Sequence, residues 1–400
     1  MSEFDPQEFV ETQVAAIRTT VNGEKALIAV SGGVDSTTCA VLTHRALGEN
    51  LLCVTLDDAF MRRGEPERIA QLLSEPPLRL PIQILKVQKR FLKALDGLRD
   101  AEEKRKAFRA SFYESLSDAA GSEGYRFLVQ GTIRADIDET TRGIKTQHNV
   151  LSQMGISPAE QYGFQIIEPL VSIYKPQVRA LARFLKVPSE LSERQPFPGP
   201  GLSVRVVGQN RPDKLESLKT ATSIVESNLA KHQPDQYFAT ILDNNESSDH
   251  SHPKNIESIV AQHLKIPPES VDVRVYQDRA TGMKGDRRHY GEIVGITSRT
   301  SKDSTVQPPI KDLVAMQAKI TAADSAFTRI LYCIQEAPQP KPYVTTIRAI
   351  QTQNFLTAEV SEIPWKTLNL TAQGVLDACS NVSCVYYDVT PKPPATIEME

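Results

Sequence analysis

Residues 26–37 read Ala26-Leu27-Ile28-Ala29-Val30-Ser31-Gly32-Gly33-Val34-Asp35-Ser36-Thr37. Five apolar residues run straight into two glycines flanked by serines, and a helical period begins near Thr37. A short apolar run, a glycine turn and a helix in that order predict a strand–loop–helix unit. The glycines let the backbone turn tightly and bring amide N–H groups close to a ligand. Ser31 and Ser36 add hydroxyl donors, and the following helix points its positive end at the same spot. A multiply charged phosphate suits such a cradle, which makes Ser31, Gly32, Gly33, Val34, Asp35, Ser36 and Thr37 the expected nucleotide-binding residues. No Gly-Lys-Ser/Thr ending is present, so the segment is not a Walker loop. Asp35 inside an anion loop is repulsive unless a divalent cation or an N–H pair compensates it, so Asp35 is the expected ligand of Mg²⁺.

Outward from this unit the same rhythm continues. Residues 51–56, 82–87, 127–129 and 164–167 are brief apolar runs, separated by helix-length stretches at 36–47, 65–73, 101–119 and 175–185. Such alternation predicts an α/β fold, a parallel twisted sheet with helices on both faces. The rhythm breaks at Gln195-Pro196-Phe197-Pro198-Gly199-Pro200-Gly201, where three prolines and two glycines exclude helix and central strand. Beyond it, helical stretches (213–232, 255–264) mix with strand-like runs (271–276, 292–297, 343–350, 382–388), the pattern of a separate α+β domain. The expected division is therefore 1–195, a connector at 196–203, and 204–400, with an insertion near 301–340.

The 400 residues hold 46 basic and 49 acidic side chains, a formal charge of −3. A protein that coats nucleic acid or anionic membrane needs a cationic excess, so neither partner is expected. No apolar run approaches the roughly 20 residues of a membrane span, and the acidic start Met1-Ser2-Glu3-Phe4-Asp5 is unlike a signal peptide. Five cysteines without a C-x-x-C spacing predict neither a disulfide framework nor structural zinc, and point to a cytoplasmic location. His250-Ser251-His252 lies in a Ser/Asn/Asp-rich stretch without a metal-ligand spacing, and reads as solvated.

The hexapeptide Ser31–Ser36 is the signature of the N-type ATP pyrophosphatases, which split ATP between its α- and β-phosphates and adenylate a substrate (the adenine nucleotide alpha hydrolase-like fold). From about residue 24 to Glu400 the sequence resembles the GMP synthetase family. Leu56-Asp57-Asp58-Ala59-Phe60-Met61-Arg62 is similar to its Asp-Asn-Gly-(Leu/Phe)-(Leu/Met)-Arg, and Glu102-Glu103-Lys104-Arg105-Lys106 matches its Glu-Glu-Lys-Arg-Lys. Gln130-Gly131-Thr132 with Arg134, Asp136 and Glu139 resembles its Gln-Gly-Thr segment, and Ile144-Lys145-Thr146-Gln147-His148-Asn149 its lid. The Arg194–Leu202 stretch resembles Arg-His-Pro-Phe-Pro-Gly-Pro-Gly-Leu, and Lys392-Pro393-Pro394-Ala395-Thr396-Ile397-Glu398 the family's C-terminal tail.

This resemblance implies a two-step reaction. ATP adenylates O2 of xanthosine 5′-monophosphate (XMP) with release of pyrophosphate, and ammonia then displaces AMP to give GMP. It implies that Asp35 and Lys145 are catalytic, Lys145 meeting the pyrophosphate from a mobile lid. It implies Arg134, Asp286, Lys392, Ile397 and Glu398 at the substrate nucleotide, Arg288 in support, and a homodimer formed through the second domain. The glutaminase domain that usually precedes the loop is absent from the 400 residues, so a separate glutamine amidotransferase subunit, or free ammonia, is the expected nitrogen source.

Departures from the pattern are Asp58-Ala59 for Asn-Gly, Gln147 for the first lid histidine, Asn354 for an aspartate and Met399 for a tryptophan. They keep open a paralogue that amidates another oxo-purine or related carbonyl. A tRNA-modifying adenylating enzyme fits less well, because the cysteines are scattered and no basic face is evident. A catalytically silent subunit conflicts with the intact Ser31–Ser36 segment.

Overall fold

The computed structural model describes residues 4–121, 124–141, 158–247, 253–285, 287–300, 304–353 and 356–400. The chain divides into two compact units, one of Met1–Ala94 with Lys106–Gly199, the other of Leu95–Arg105 with Pro200–Glu400.

The first unit runs α1 (Pro6–Val21), β1 (Ala26–Ala29), α2 (Val34–Leu47), β2 (Leu51–Asp57), α3 (Glu65–Ser74), β3 (Ile82–Lys86) and α4 (Gln88–Ala94). It continues with α5 (Ala101–Gly121), whose first residues count with the second unit, β4 (Phe127–Val129), α6 (Arg134–Thr141), α7 (Pro158–Tyr162), β5 (Gln165–Ile167), α8 (Lys175–Phe184) and α9 (Ser189–Ser192). The five strands form one parallel sheet in the order β3-β2-β1-β4-β5. Ala26 of β1 sits between Leu51 of β2 and Phe127 of β4. A strand at the centre of a parallel sheet is covered on both faces, which is why β1 is apolar throughout and β2 is apolar except at Thr55 and Asp57, instead of alternating. Ala26, Leu27, Ile28 and Cys53 are fully buried.

The order reverses at β1. The chain steps outward through β2 and β3, then returns to lay β4 on the other side of β1. Loops leaving the carboxyl ends of β1 and β4 therefore flank the topological switch point, where open α/β sheets bind ligands. Those loops are Ser31–Gly33 and Gln130–Ile133.

The second unit contains α10 (Pro212–Leu229), β6 (Gln236–Asp243), α11 (Pro253–Leu264), β7 (Val271–Lys284), β8 (Arg287–Ser298), α12 (Ile310–Ala323), β9 (Phe327–Glu336), β10 (Tyr343–Gln351), β11 (Glu359–Val360), α13 (Trp365–Ala378) and β12 (Val382–Asp388). Its mixed sheet runs β11-β10-β12-β9-β8-β7, with β6 also on β10. The segment expected as an insertion near 301–340 contains a strand of the sheet. The run Phe327–Glu336 is β9, paired with β12 on one side and β8 on the other. Its first eight residues are buried. The expected strands at 271–276 and 292–297 are parts of a longer hairpin. A register shift between Tyr276 and Arg279 admits Gln277 and Asp278 into β7, and those polar residues masked its length in the sequence. The Pro/Gly stretch ends in a short 3₁₀ turn, Gly201–Val204, all four residues of which are buried. Among the described residues, no helix is long and apolar enough to cross a membrane.

Candidate active site

α2 starts at Val34 with Gly33 as its N-cap, in extended backbone and with no side chain capping it. Its first-turn amides are thus left for an anion, where the helix dipole favours negative charge. Gly32 adopts φ +74°, a left-handed conformation that side-chain-bearing residues avoid. Ser31 and Ser36 close the loop across its mouth. Their hydroxyl oxygens are 3.1 Å apart, and the Ser31 N–H donates to Ser36 Oγ at 3.2 Å. The post-β4 motif supports this turn. A Cβ on Gly131 would lie 3.0 Å from the Asp35 carbonyl carbon and the Ser36 nitrogen, so a side chain there would press on the Asp35–Ser36 peptide where glycine lets the two loops approach closely. Gln130 is fixed beside it by donating to Tyr113 Oη at 2.7 Å.

Asp35 faces Lys175, whose Nζ donates to Asp35 Oδ2 at 2.5 Å. The other oxygen, Oδ1, is buried and has no hydrogen-bond partner. An orphaned carboxylate oxygen at the mouth of an anion cradle has the chemistry of a divalent-cation ligand, so Asp35 fits the expected Mg²⁺. Lys175 was not among the residues singled out from the sequence. A signal was present, because a lysine in the first turn of a helix opposes the dipole and needs a tertiary reason.

Arg134 opens α6. Its side chain is half exposed, and Nε donates to Asp138 Oδ1 at 3.1 Å. Tyr174 Oη donates to the other oxygen of Asp138 at 3.0 Å. In the first unit, then, the structure brings together Ser31–Ser36, Gly131 and Lys175, with Arg134 on the next helix over. Lys145, the other lid residues Gln147, His148 and Asn149, and also Asp286, His250, His252 and Asn354 lie outside the described residues.

In the second unit, the tail from Pro391 to Glu400 is held by three arginines that are each fully buried, Arg205, Arg329 and Arg348. Arg348 donates to the carbonyls of Thr390, Thr396 and Ile397, and to Asp388 Oδ2 at 2.7 Å. Arg329 donates to the same Asp388 oxygen at 3.1 Å, to Thr396 Oγ1 at 2.9 Å and to the Glu398 carbonyl. Burial and the neighbouring Arg348 guanidinium push Arg329 down to about 9. Arg205 grips the Glu398 carboxylate with two bonds of 2.9 Å and lies 3.9 Å from the Phe238 ring centroid. Glu398, expected at the substrate, therefore has a buried cationic partner of its own. Lys392 pairs through its backbone with Ala358, and the chain then turns at Pro393-Pro394, where the Ala395 N–H donates to the Pro391 carbonyl at 3.0 Å. Tight ion pairing of the tail escaped sequence reasoning, because nothing near Arg205, Arg329 or Arg348 marks them as buried.

Cys333, Glu336 and Cys384 also come together, their ligand atoms all within 4.8 Å of one another. The two cysteines come from β9 and β12, neighbours in the sheet but 51 positions apart, a pairing no local spacing records. The Glu336 carboxylate is held by Arg299 and approached by Arg274 at 3.6 Å, which occupies it with guanidinium.

A glycine–serine cradle at the switch point of a parallel sheet defines a phosphate-loop ATP-binding protein. The family model described as a PP-loop domain matches residues 6–189, and that of the GMP synthase C terminal domain matches residues 339–399. The B subunit of glutamine-hydrolyzing GMP synthase from Sulfurisphaera tokodaii is 42% identical over 399 residues, covering 99% of this chain and all of its own. The proteins of the same name from Saccharolobus solfataricus and Methanopyrus kandleri are 42% and 37% identical over 398 and 404 residues, with the same coverage. Identity at this level along both chains leaves no room for a shared domain alone, and the chain belongs to the family of GMP synthase B subunits.

Proposed function

We propose that this chain is the synthetase subunit of a two-part GMP synthase, an ATP-dependent C–N ligase that forms AMP and pyrophosphate. It adenylates O2 of XMP and admits ammonia, which displaces AMP to give GMP. The observation that carries the reading is the uncapped α2 start with Asp35 and Lys175 at its mouth, in a chain related to its relatives end to end.

The loop amides of Gly32–Ser36 and the Ser31 and Ser36 hydroxyls bind the β- and γ-phosphates, while Thr37 completes the first turn of α2 behind them. Asp35 holds Mg²⁺, which, when bound, offsets charge on the departing pyrophosphate. Lys175 exchanges its carboxylate partner for phosphate oxygen as ATP enters, and Lys145 follows the pyrophosphate out. Arg134, Asp286, Lys392 and Ile397 bind the purine nucleotide. Glu398 acts in the position that Arg205 gives it. Ammonia comes from a separate glutamine amidotransferase subunit, and the active form is a cytoplasmic homodimer.

The test incubates the protein with ATP, Mg²⁺, ammonium and a panel of nucleotides including XMP, and follows AMP. XMP-dependent AMP and GMP formation is the expected result, with glutamine inactive unless the partner is added. Release of ADP and orthophosphate, or turnover only with another oxo-purine, overturns the assignment to XMP.

A further inference from the structure

Two of the segments that resemble family motifs, Leu56–Arg62 and Arg194–Leu202, have no part in the reading above. The structure joins them behind the phosphate loop. A Cβ placed on Gly32 would lie 2.7 Å from Ile69 Cδ1 and 3.0 Å from Arg194 Nη1, so the Arg194 guanidinium forms the back wall of the left-handed turn. Arg194 Nη2 donates to Glu65 Oε1. Glu65 is 6% exposed in its side chain and opens α3. Its carboxylate is gripped from the other side by Arg62, through the backbone N–H at 3.0 Å and Nη1 at 3.3 Å. Arg62 in turn lies 4.2 Å from the ring centroid of Phe197, in the Pro/Gly motif.

We infer that Arg194 is a positioning residue for pyrophosphate recognition, set in place by the Glu65 carboxylate and the Arg62–Phe197 stack. Two guanidiniums share one nearly buried carboxylate, so the group keeps net positive charge beside a loop that must hold a polyanion. Its planar fork also fills the space that Gly32 leaves, and so keeps the Gly32 and Gly33 amides turned toward the ligand. A lysine offers the charge without the fork. The inference rests on the loop binding the β- and γ-phosphates, but it does not need XMP to be the acceptor.

Calorimetric titration with inorganic pyrophosphate and with AMP, each in the presence of Mg²⁺, tests it on the full chain. R194M is expected to weaken pyrophosphate about tenfold or more, or about 1.4 kcal/mol, while AMP, which lacks the β- and γ-phosphates, binds as before. R194K should recover part of the loss. E65Q should lower pyrophosphate affinity in the same direction, and adding it to R194M should cost nothing further, because both act through one guanidinium. Unchanged pyrophosphate affinity in R194M overturns the inference. So does an equal loss for AMP, the mark of a general packing defect. A wild-type protein that binds pyrophosphate but never makes GMP sinks the functional reading and leaves this one standing.

Discussion

Lys175 Nζ lies 2.5 Å from Asp35 Oδ2, while Oδ1 of the same carboxylate is buried without a partner. One oxygen of the loop aspartate is thus paired with an ammonium from α8, and the other is left without a partner. Lys175 is half exposed, so the pair contributes at most about 1 kcal/mol to stability. The proposed role of its ammonium is as a phosphate ligand. Lys175→Ala should lower kcat/KM for ATP by about 10²-fold or more, equivalent to about 2.7 kcal/mol of transition-state stabilisation. The melting temperature should move by only a few degrees. Asp35→Ala should abolish pyrophosphate release with the fold retained. A pyrophosphate-release assay beside circular dichroism checks both, and an active Asp35→Ala protein would remove the aspartate from its assigned role.

The first unit was legible because its determinants are local. A parallel strand covered on both faces must be uniformly apolar, so the runs around Ile28 and Val54 announce themselves, and the Ser31–Ser36 turn carries its chemistry in six consecutive residues. Lys175 showed only as a lysine placed against the helix dipole; its partner is 140 positions earlier, and no periodicity records a contact of that span. The second unit was harder for a related reason. Arg205, Arg329 and Arg348 look like surface residues in the sequence, and become core only when Asp388, Glu398 and the tail carbonyls fold over them. β9 is not among the strand-like runs legible in the sequence because Thr328, Arg329, Tyr332 and Gln335 dilute its apolar character, although Thr328, Arg329 and Tyr332 are buried.

Ala59 stands where the family pattern has glycine, and it adopts φ +75°. An L-residue with a side chain in that region carries roughly 1–2 kcal/mol of steric cost, part of which glycine returns as added freedom in the unfolded chain. Ala59→Gly should therefore stabilise the protein by about 0.5–1 kcal/mol. Urea denaturation reads this as a higher midpoint at unchanged slope. A lower midpoint would mean that the alanine methyl packs well enough to outweigh its backbone strain.

The neighbouring departure, Asp58 for asparagine, has a consequence in pH. Burial pushes the Asp58 carboxyl up to about 7, against the Phe60 N–H that donates to it at 2.7 Å and favours the anion, and with Asp57 adding to the rise. A carboxyl whose folded value lies above its unfolded value near 4 binds more protons when folded in the interval between them. Its contribution is then fully present below about pH 4 and is lost as pH rises to about 7. Below about pH 4 the acid is neutral in both states and mimics the amide. Asp58→Asn should leave stability almost unchanged there, raise it progressively between about pH 4 and 7, and raise it at pH 8 by no more than about 4 kcal/mol. Thermal melts of both proteins across pH 5–8 give the answer, and parallel curves would remove Asp58 as the titrating group.

At the other end of the chain, Lys104 Nζ donates to Glu400 Oε2 at 2.5 Å and to the Val206 carbonyl at 2.6 Å, with both charged side chains fully buried. Glu400 Oε1 also accepts from the Gly208 N–H at 2.8 Å. Desolvation pushes Lys104 down and Glu400 up, each toward its neutral form, and the mutual attraction opposes both shifts. Such a pair stabilises little against an apolar replacement of both partners, but removing one leaves the other stranded. Lys104→Met should therefore cost about 3–5 kcal/mol at pH 8, where the stranded Glu400 is least able to shed its charge by taking up a proton. The cost should shrink as pH falls toward 5 and protonation relieves that charge. Lys104→Met with Glu400→Gln should be more stable than Lys104→Met alone at pH 8, a non-additivity expected only for groups in direct contact. Chemical denaturation of the single and double variants at the two pH values measures the cycle, and additive losses independent of pH would show that Lys104 stabilises the unit by packing instead of by charge.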